Sequence, residues 1–454
     1  MPFAHERARK RFGLAAILMV VACIPLAAWE QDVHYALTLW LATQVGFTPL
    51  DARDIAMAAE APDDNYRRPA TEAVLLAIAT GEDASLKEVQ KYHFPSNVKA
   101  YFGPSGKRIV QEGSGDARYL VNLILAAPAS PATYSRDLQA FGDALHPFQD
   151  SWSHAGESDL PPRPARPPIK PDKMWSHPQS RGGWDRHDAD LTWLDVKGAT
   201  ATAFETWKAL DQFAKSRLGA AYKAGTFRAL DKSVNDFVKA DSQKAKADWM
   251  RGHGFADSEA RRIAGTLDAP GSVLPPDLRL AIRVVANAQW AANAVPAAAA
   301  DLLRRVLDDW LTKRALDAVL SNVDLDSIAR ELTDASGGAS IDPALWCRKF
   351  LAMWFVADHG VVNQMGHGDP RAAGYSDLPT APLNNGALAA RPPGDGVQVP
   401  PGGIFRVDPE VVGVPNAFGA AVTFPQMPQD LVIVVVAPSS ASQWRIIRLW
   451  RMVS

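Results

Sequence analysis

The chain has 454 residues, of which 47% are hydrophobic and 22% charged, so it is long enough for two or three domains and a large buried core. A formal net charge of −2 argues against a general polyanion-binding protein, although a bound cation would attract phosphate locally. The two cysteines, Cys23 and Cys347, exclude a disulfide framework and a zinc site built from several thiolates. Any metal must therefore be held mainly by histidines and carboxylates.

Residues 1–28 have the pattern of an export signal. A basic head is followed by the apolar run FGLAAILMVVACIPLAA, which is too short for a comfortable membrane span. We predict cleavage before Trp29 and an exported protein, periplasmic or extracellular. Two alternatives remain. VVAC resembles a bacterial lipoprotein box, which would leave a lipidated Cys23 as the first residue, or the segment stays as an uncleaved anchor.

The region 29–378 is predicted to form one mostly helical domain. Segments such as ATAFETWKALDQFAKSRLGAAYKA and DLLRRVLDDWLTKRALDAVLSNV carry apolar residues at three- and four-residue spacing. The proline-rich stretch 161–173 cannot be helix interior and is predicted to be an extended loop.

Composition changes towards the C-terminus. Residues 379–403 are rich in Pro and Gly, which predicts a linker. Residues 404–454 have strand character and predict a small β-rich element. Because about 50 residues are few for an independent domain, the alternative is that this element packs on the helical body.

The stretch ALHPFQDSWSHAGE places His146, Asp150 and His154 four residues apart. On a helix these side chains form one polar ridge. A buried ridge of this kind needs partners or a cation, and imidazole and carboxylate are suitable zinc ligands. The alternative is a solvent-facing or hydrogen-bonded polar stripe, because short motifs often arise by chance. Pro147 predicts either a helix start or a kink.

Further residues able to bind a metal are spread over the first 190 positions. They are Trp29 and His34 in WEQDVH, Asp63 and Asp64 in MAAEAPDDN, His93 in KYHFPSN, and His187 with Asp190 in GGWDRHDADL. Four other histidines, His177, His253, His359 and His367, are interpreted as non-ligands, and Cys347 as a buried apolar residue.

In this order the residues resemble the motifs of the bacterial zinc-dependent phospholipases C and the zinc-dependent single-strand nucleases. That resemblance implies a helical fold, three clustered zinc ions and a mature chain starting with a Trp whose amino group and carbonyl bind zinc. It assigns ligand roles as follows: Trp29 and His34 form the N-terminal pair, Asp63 or Asp64 is the next carboxylate, His93 follows, His146 precedes a bridging Asp150, and His154, His187 and Asp190 hold the remaining zinc.

The resemblance covers about residues 29 to 200 and has two departures. The family usually has five residues between the central Asp and the next His, whereas three separate Asp150 from His154. The last family pair is His-x3-Asp or His-x3-Glu, whereas here that position is Leu191. Asp190 is one position early, still adjacent on a helix, and Asp185 and Asp188 are substitutes.

The expected activity is zinc-dependent phosphodiester hydrolysis with two or three zinc ions, in which a metal-activated water attacks phosphorus. The resemblance gives Asp63 or Asp64 a further, catalytic role in orienting that water. The HF dipeptide and the bacterial-type signal favour a phospholipase C-like enzyme over a single-strand nuclease or nucleotidase. The substrate is accordingly a phospholipid or a nucleic acid.

Two other classes of protein remain open. One is a secreted, metal-stabilised helical protein without turnover. The other is a cell-surface protein that binds a partner through the β-rich element. That element could also contact a membrane surface, and no protein partner is evident from the sequence.

Overall fold

The computed structural model describes the greater part of the chain between Trp29 and Val453. The described residues are 29–64, 89, 91–96, 107–159, 177–223, 225–271, 276–290, 295–313, 315–329, 342–345, 347, 351, 404–424, 427–440 and 443–453. The predicted signal peptide, the loop 161–173, the linker 379–403, His359 and His367 lie outside them.

Helices dominate this structure, as predicted. The first described helix is a π-helix, Asp32–Leu37. The α-helices that follow are α1 (Thr38–Gln44), α2 (Pro49–Asp64), α3 (Tyr119–Ala126), α4 (Tyr134–Ser153), α5 (Val196–Arg217), α6 (Asp231–Val238), α7 (Gln243–Gly252), α8 (Asp257–Thr266), α9 (Pro276–Ala286), α10 (Ala297–Leu307), α11 (Leu316–Leu320) and α12 (Pro409–Val412).

The strands of the described residues form two antiparallel sheets. A two-stranded sheet pairs β1 (Lys107–Val110) with β2 (Gly156–Asp159). The second sheet has five strands in sequence order: β3 (Gln289–Trp290), β4 (Ile404–Arg406), β5 (Phe418–Phe424), β6 (Met427–Ser440) and β7 (Gln443–Val453). The prediction of a mostly helical protein with a small β-rich C-terminal element is confirmed.

The C-terminal sheet packs on the helical body through both of its faces. Along β6, Ile433 and Val435 lie in a cluster with residues of α9, whereas Val434 and Val436 lie in a cluster with residues of α10. Side chains of a strand alternate between faces, so a sheet covered on both sides reads as a continuous apolar run. This explains the sequence LVIVVV. Phe94 belongs to the α9-side cluster and connects it to the histidines described below.

The frame of those histidines is the packing of α2 against α4. Helix α4 runs without interruption through Pro147, so that proline is not a helix start. Gly142 marks the closest approach of the two helices. A Cβ at this position would meet the carbonyl oxygen of Ile55 and would lie 2.7 Å from Cβ of Ala58.

Replacing Gly142 with Ala is therefore expected to destabilise the protein by about 3 kcal/mol, because the clash is with backbone and only a shift of the helices relieves it. Denaturant unfolding followed by circular dichroism measures the change. Gly252→Ala is the matched control, since an added Cβ there meets no described atom within 4 Å. Equal midpoints for the two variants would contradict the close packing of α2 and α4.

A buried ion pair fastens the N-terminal segment to α7. Lys246 Nζ lies 2.6 Å from Asp32 Oδ2 and donates to Thr192 Oγ1 at 2.7 Å. Both charged side chains are inaccessible to solvent, and burial lowers the pKa of Lys246 and raises that of Asp32. Removing either partner alone would leave an uncompensated buried charge. The pair thus holds the turn that carries His34.

In the part of the chain that the structure describes, every helix is too short or too polar to cross a bilayer.

Candidate metal centre

Six of the predicted ligands converge in the interior of the helical body. His146 and Asp150 project from α4, and His154 caps its C-terminus. The other three come from the π-helix, from the end of α2 and from the segment 91–96: His34, Asp63 and His93. All six side chains are between 0 and 4% exposed. The ridge predicted from the spacing of four residues is therefore buried and is not a solvent-facing stripe.

Asp150 lies at the middle of this cluster and presents its two oxygens to different histidines. Its Oδ1 is 3.0 Å from His34 Nε2. Its Oδ2 is 3.0 Å from His93 Nδ1, 3.3 Å from His146 Nε2 and 3.9 Å from His154 Nε2. A carboxylate placed in this way can serve two neighbouring cations, one through each oxygen.

Asp63 closes the cluster from the side of α2. Its Oδ1 lies 3.5 Å from His146 Nε2 and 3.8 Å from His93 Nδ1, and its Oδ2 lies 3.9 Å from His34 Nε2. The ligand atoms form three overlapping groups, each with all atoms within 4.8 Å: His34, His146 and Asp150; Asp63, His93 and His146; His93, Asp150 and His154. These groups can hold a metal ion.

Hydrogen bonds fix which ring nitrogen faces the cluster. The carbonyl of Ala59 lies 2.7 Å from His146 Nδ1; because a carbonyl only accepts, Nδ1 carries the proton and Nε2 keeps its lone pair. In His34, Nδ1 donates to Oε1 of Gln149 at 2.8 Å, which directs Nε2 into the cluster, while the amide nitrogen of Gln149 donates to Thr38 Oγ1. Such outer partners set the orientation and basicity of metal-binding histidines.

The protonation states also suit a cation. Burial, reinforced by the charges of His34 and His93, lowers the pKa of His146 to about 4. Burial and His177 lower the pKa of His154 well below its ordinary value. Burial opposes ionisation of Asp150, but the neighbouring His146 and His34 outweigh it and hold the pKa of that carboxyl well below its usual range. Neutral imidazoles and an ionised carboxylate are the forms that bind metal.

The pKa of His34 shifts in the opposite direction to those of His146 and His154. Burial lowers its pKa, but hydrogen bonding and attraction to Asp150 raise the pKa above its ordinary value overall. In the absence of a cation, His34 Nε2 therefore tends to keep a proton against Asp150. A bound metal would have to displace that proton.

His187 and Asp190, the predicted last ligands, lie in an adjacent buried set. His187 Nδ1 is 3.5 Å from Asp190 Oδ2 and 3.8 Å from Asp268 Oδ2. His177 connects this set to the first, because its ring stacks on that of His154 with centroids 4.9 Å apart. Neither His187 nor Asp190 belongs to the three metal-compatible groups found among the described residues.

His177, interpreted from the sequence as a non-ligand, has both ring nitrogens engaged. Its Nδ1 faces the carbonyl of Arg186 at 2.8 Å and its Nε2 faces Asp190 Oδ1 at 2.9 Å. Although burial opposes its charge, Asp190 and these hydrogen bonds raise the pKa of His177. His177 thus acts as a buried donor beside His154. Asp190, which holds it, is correspondingly less free to bind a third metal.

The remaining predicted residues have separate surroundings. The indole of Trp29 is buried and donates to the carbonyl of Gln149, next to Asp150, whereas a ligand role of its amino group stays a prediction. Asp64 ends α2, but its side chain lies outside the described residues. Of the two substitutes for Asp190, Asp185 pairs with Arg279 and Asp188 accepts from the backbone of Gly271.

Several residues around the cluster and the adjacent His187 set were not predicted as part of the site, namely Gln149, His177, Glu60 and Asp268. His177 offered one usable signal, since it precedes His187 by ten residues in the same loop. Gln149 and Glu60 are close in sequence to Asp150 and Asp63, but the contact of Gln149 with His34 and that of Asp268 with His187 come from tertiary packing.

Comparison with known proteins finds that part of the chain matches one family model, whose function is unknown. Residues 30–161 match DUF6765, a family of unknown function. The matched segment is less than a third of the chain, and it contains all six clustered residues from His34 to His154 but not His177, His187 or Asp190. No curated protein and no solved structure matches the chain significantly.

Proposed function

We propose that this protein is an exported zinc-dependent phosphodiester hydrolase of the phospholipase C-like type. The observation that supports the proposal most is the placement of Asp150, with one oxygen beside His34 and the other beside His93, His146 and His154. A carboxylate shared in this way is typical of centres with two closely spaced metals, which catalyse displacement at phosphorus.

Zinc is the metal that this set of donors favours. Four imidazoles and two carboxylates offer nitrogen and oxygen ligands, whereas magnesium and calcium prefer oxygen alone. The buried thiol of Cys347 packs with apolar residues in the α10-side cluster, and Cys347 belongs to none of the metal-compatible groups found among the described residues. We therefore expect two or three zinc ions and no thiolate ligand.

The residues of the cluster have distinct parts in the proposed reaction. When bound, the zinc ions supply a nucleophilic hydroxide at neutral pH and neutralise charge on the phosphoryl oxygens. Asp150 holds the two halves of the centre together, and the Ala59 carbonyl and Gln149 keep His146 and His34 in the ligating tautomer. Of the predicted catalytic pair Asp63 and Asp64, we assign Asp63 to orient the attacking water, because its carboxylate lies within the cluster.

The proposal is tested on protein purified from a host that exports it, with the N-terminal residue determined. We expect two or three zinc ions per chain and hydrolysis of bis-p-nitrophenyl phosphate that a chelator abolishes and added zinc restores. Zinc binding without any hydrolysis would instead indicate a metal-stabilised, non-catalytic protein. A chain that begins at Cys23 would remove the free amino group of Trp29 and with it the predicted N-terminal ligand.

A further inference from the structure

A cleft of about 710 Å³ opens on the surface between the π-helix, α2 and α8. This volume is within the range of small-molecule binding sites. Its walls include Gln31 and Tyr35 from the N-terminal segment, Arg53 and Glu60 from α2, and Arg262 from α8. None of these residues was singled out by the sequence motifs.

The walls of the cleft are next to the metal centre along the π-helix and along α2. Tyr35 follows His34 in the chain, and Glu60 follows Ala59, whose carbonyl accepts from His146. Glu60 also precedes Asp63 by three residues, so the two carboxylates share one face of α2. Glu60 is only 8% exposed, so it lies at the boundary between the cleft and the interior. The cleft and the buried cluster therefore meet at Glu60.

One positive charge in the cleft is available for an anion. Arg53 is neutralised by Glu259 at 2.7 Å, and both side chains contact the hydroxyl of Tyr35. Arg262 is exposed and donates to the side-chain oxygen of Gln31 at 2.9 Å. Within the described ranges Arg262 makes no ion pair. A guanidinium of this kind is a good partner for phosphate oxygens.

Most of the residues that line the cleft are polar. Apart from Met57 and Ala256, the residues that line it carry charged, amide or hydroxyl groups. Such walls offer several polar partners to the phosphate-bearing part of a substrate.

We propose that this cleft binds the phosphate-ester head of the substrate, with Arg262 as the anion anchor and Glu60 at the passage to the metals. The inference rests on the proposed function, since it gives that reaction its substrate subsite. The same chemistry is offered by the head of a phospholipid and by a soluble phosphodiester.

Arg262→Gln tests the anchor, and Arg261→Gln is its matched control. Arg261 is the neighbouring exposed guanidinium on α8 and pairs with Asp257 outside the cleft. With zinc-loaded full-length protein and bis-p-nitrophenyl phosphate, Arg262→Gln should raise KM roughly tenfold, the effect of losing one charged hydrogen bond, and leave kcat and zinc content unchanged. Arg261→Gln should match the wild type. An unchanged KM in Arg262→Gln would overturn the inference.

Two further measurements distinguish a lipid from a soluble substrate and separate failure of the cleft from failure of the proposed function. Faster hydrolysis of phosphatidylcholine vesicles than of glycerophosphocholine would identify a lipid head, and the reverse would identify a soluble diester. If the wild type holds zinc but hydrolyses nothing, the proposed function fails and the cleft is judged by calorimetric binding of bis-p-nitrophenyl phosphate. Weaker binding in Arg262→Gln alone would then support the cleft, and equal binding in all three proteins would overturn it.

Discussion

Replacing Asp150 with Asn is expected to remove zinc from the centre and to reduce hydrolysis of bis-p-nitrophenyl phosphate to the background rate. Both oxygens of Asp150 face histidines, so this single change affects two of the three metal-compatible groups. Loss of an outer partner of a ligand typically costs 10- to 100-fold in metal affinity, and loss of a shared ligand should cost at least about 100-fold. Zinc content by elemental analysis and zinc affinity by competition with a chelator measure the effect.

Asp236→Asn is the control for this variant. Asp236 is an exposed carboxylate on α6 that pairs with Lys232, so its loss should change neither zinc content nor stability by more than about 0.5 kcal/mol. Circular dichroism of the Asp150→Asn protein establishes that it is folded. Full zinc content in folded Asp150→Asn would show that the buried carboxylate is not a ligand, and the proposed centre would be wrong.

The candidate centre could be predicted from the sequence where its geometry is local. His146, Asp150 and His154 are brought together by the repeat of one helix, and that repeat is visible in the spacing of the residues. His34, Asp63 and His93 were placed with them only by the resemblance, because nothing in their own neighbourhoods encodes a distance to α4. The structure brings all six into contact range, which is a long-range result of packing α2, the π-helix and the segment 91–96 against α4.

What could not be predicted depends on contacts between distant segments. Nothing in the sequence around Gln149 shows that its amide faces His34, and nothing around Arg262 shows that it shares a cleft with Gln31. The helical class was predictable because amphipathic periodicity repeats over many residues. The strand Gln289–Trp290 was not, since two residues carry no periodicity and the partner that makes them a strand lies more than a hundred positions later, in Ile404–Arg406.

Removing the metal is expected to lower the melting temperature of the wild-type protein by roughly 10 °C. Without a cation the carboxylate of Asp150 is buried among imidazoles, and a buried charge is costly unless it is paired and hydrogen-bonded. A ligand present at a thousand times its Kd stabilises the folded state by about 4 kcal/mol. For a helical body of this size each kcal/mol corresponds to roughly 2–4 °C.

Calorimetry or circular dichroism with and without a chelator measures this difference, and titration with zinc should restore the original melting temperature while magnesium should not. Asp150→Asn provides the internal comparison: a protein that has lost its shared ligand should melt at nearly the same temperature with or without chelator. The shift is therefore expected in the wild type and in Asp236→Asn but not in Asp150→Asn. Identical melting of wild-type protein in both conditions would mean that the six residues form a hydrogen-bonded polar core and not a metal centre, and the buried charge of Asp150 would then be balanced by a protonated His34.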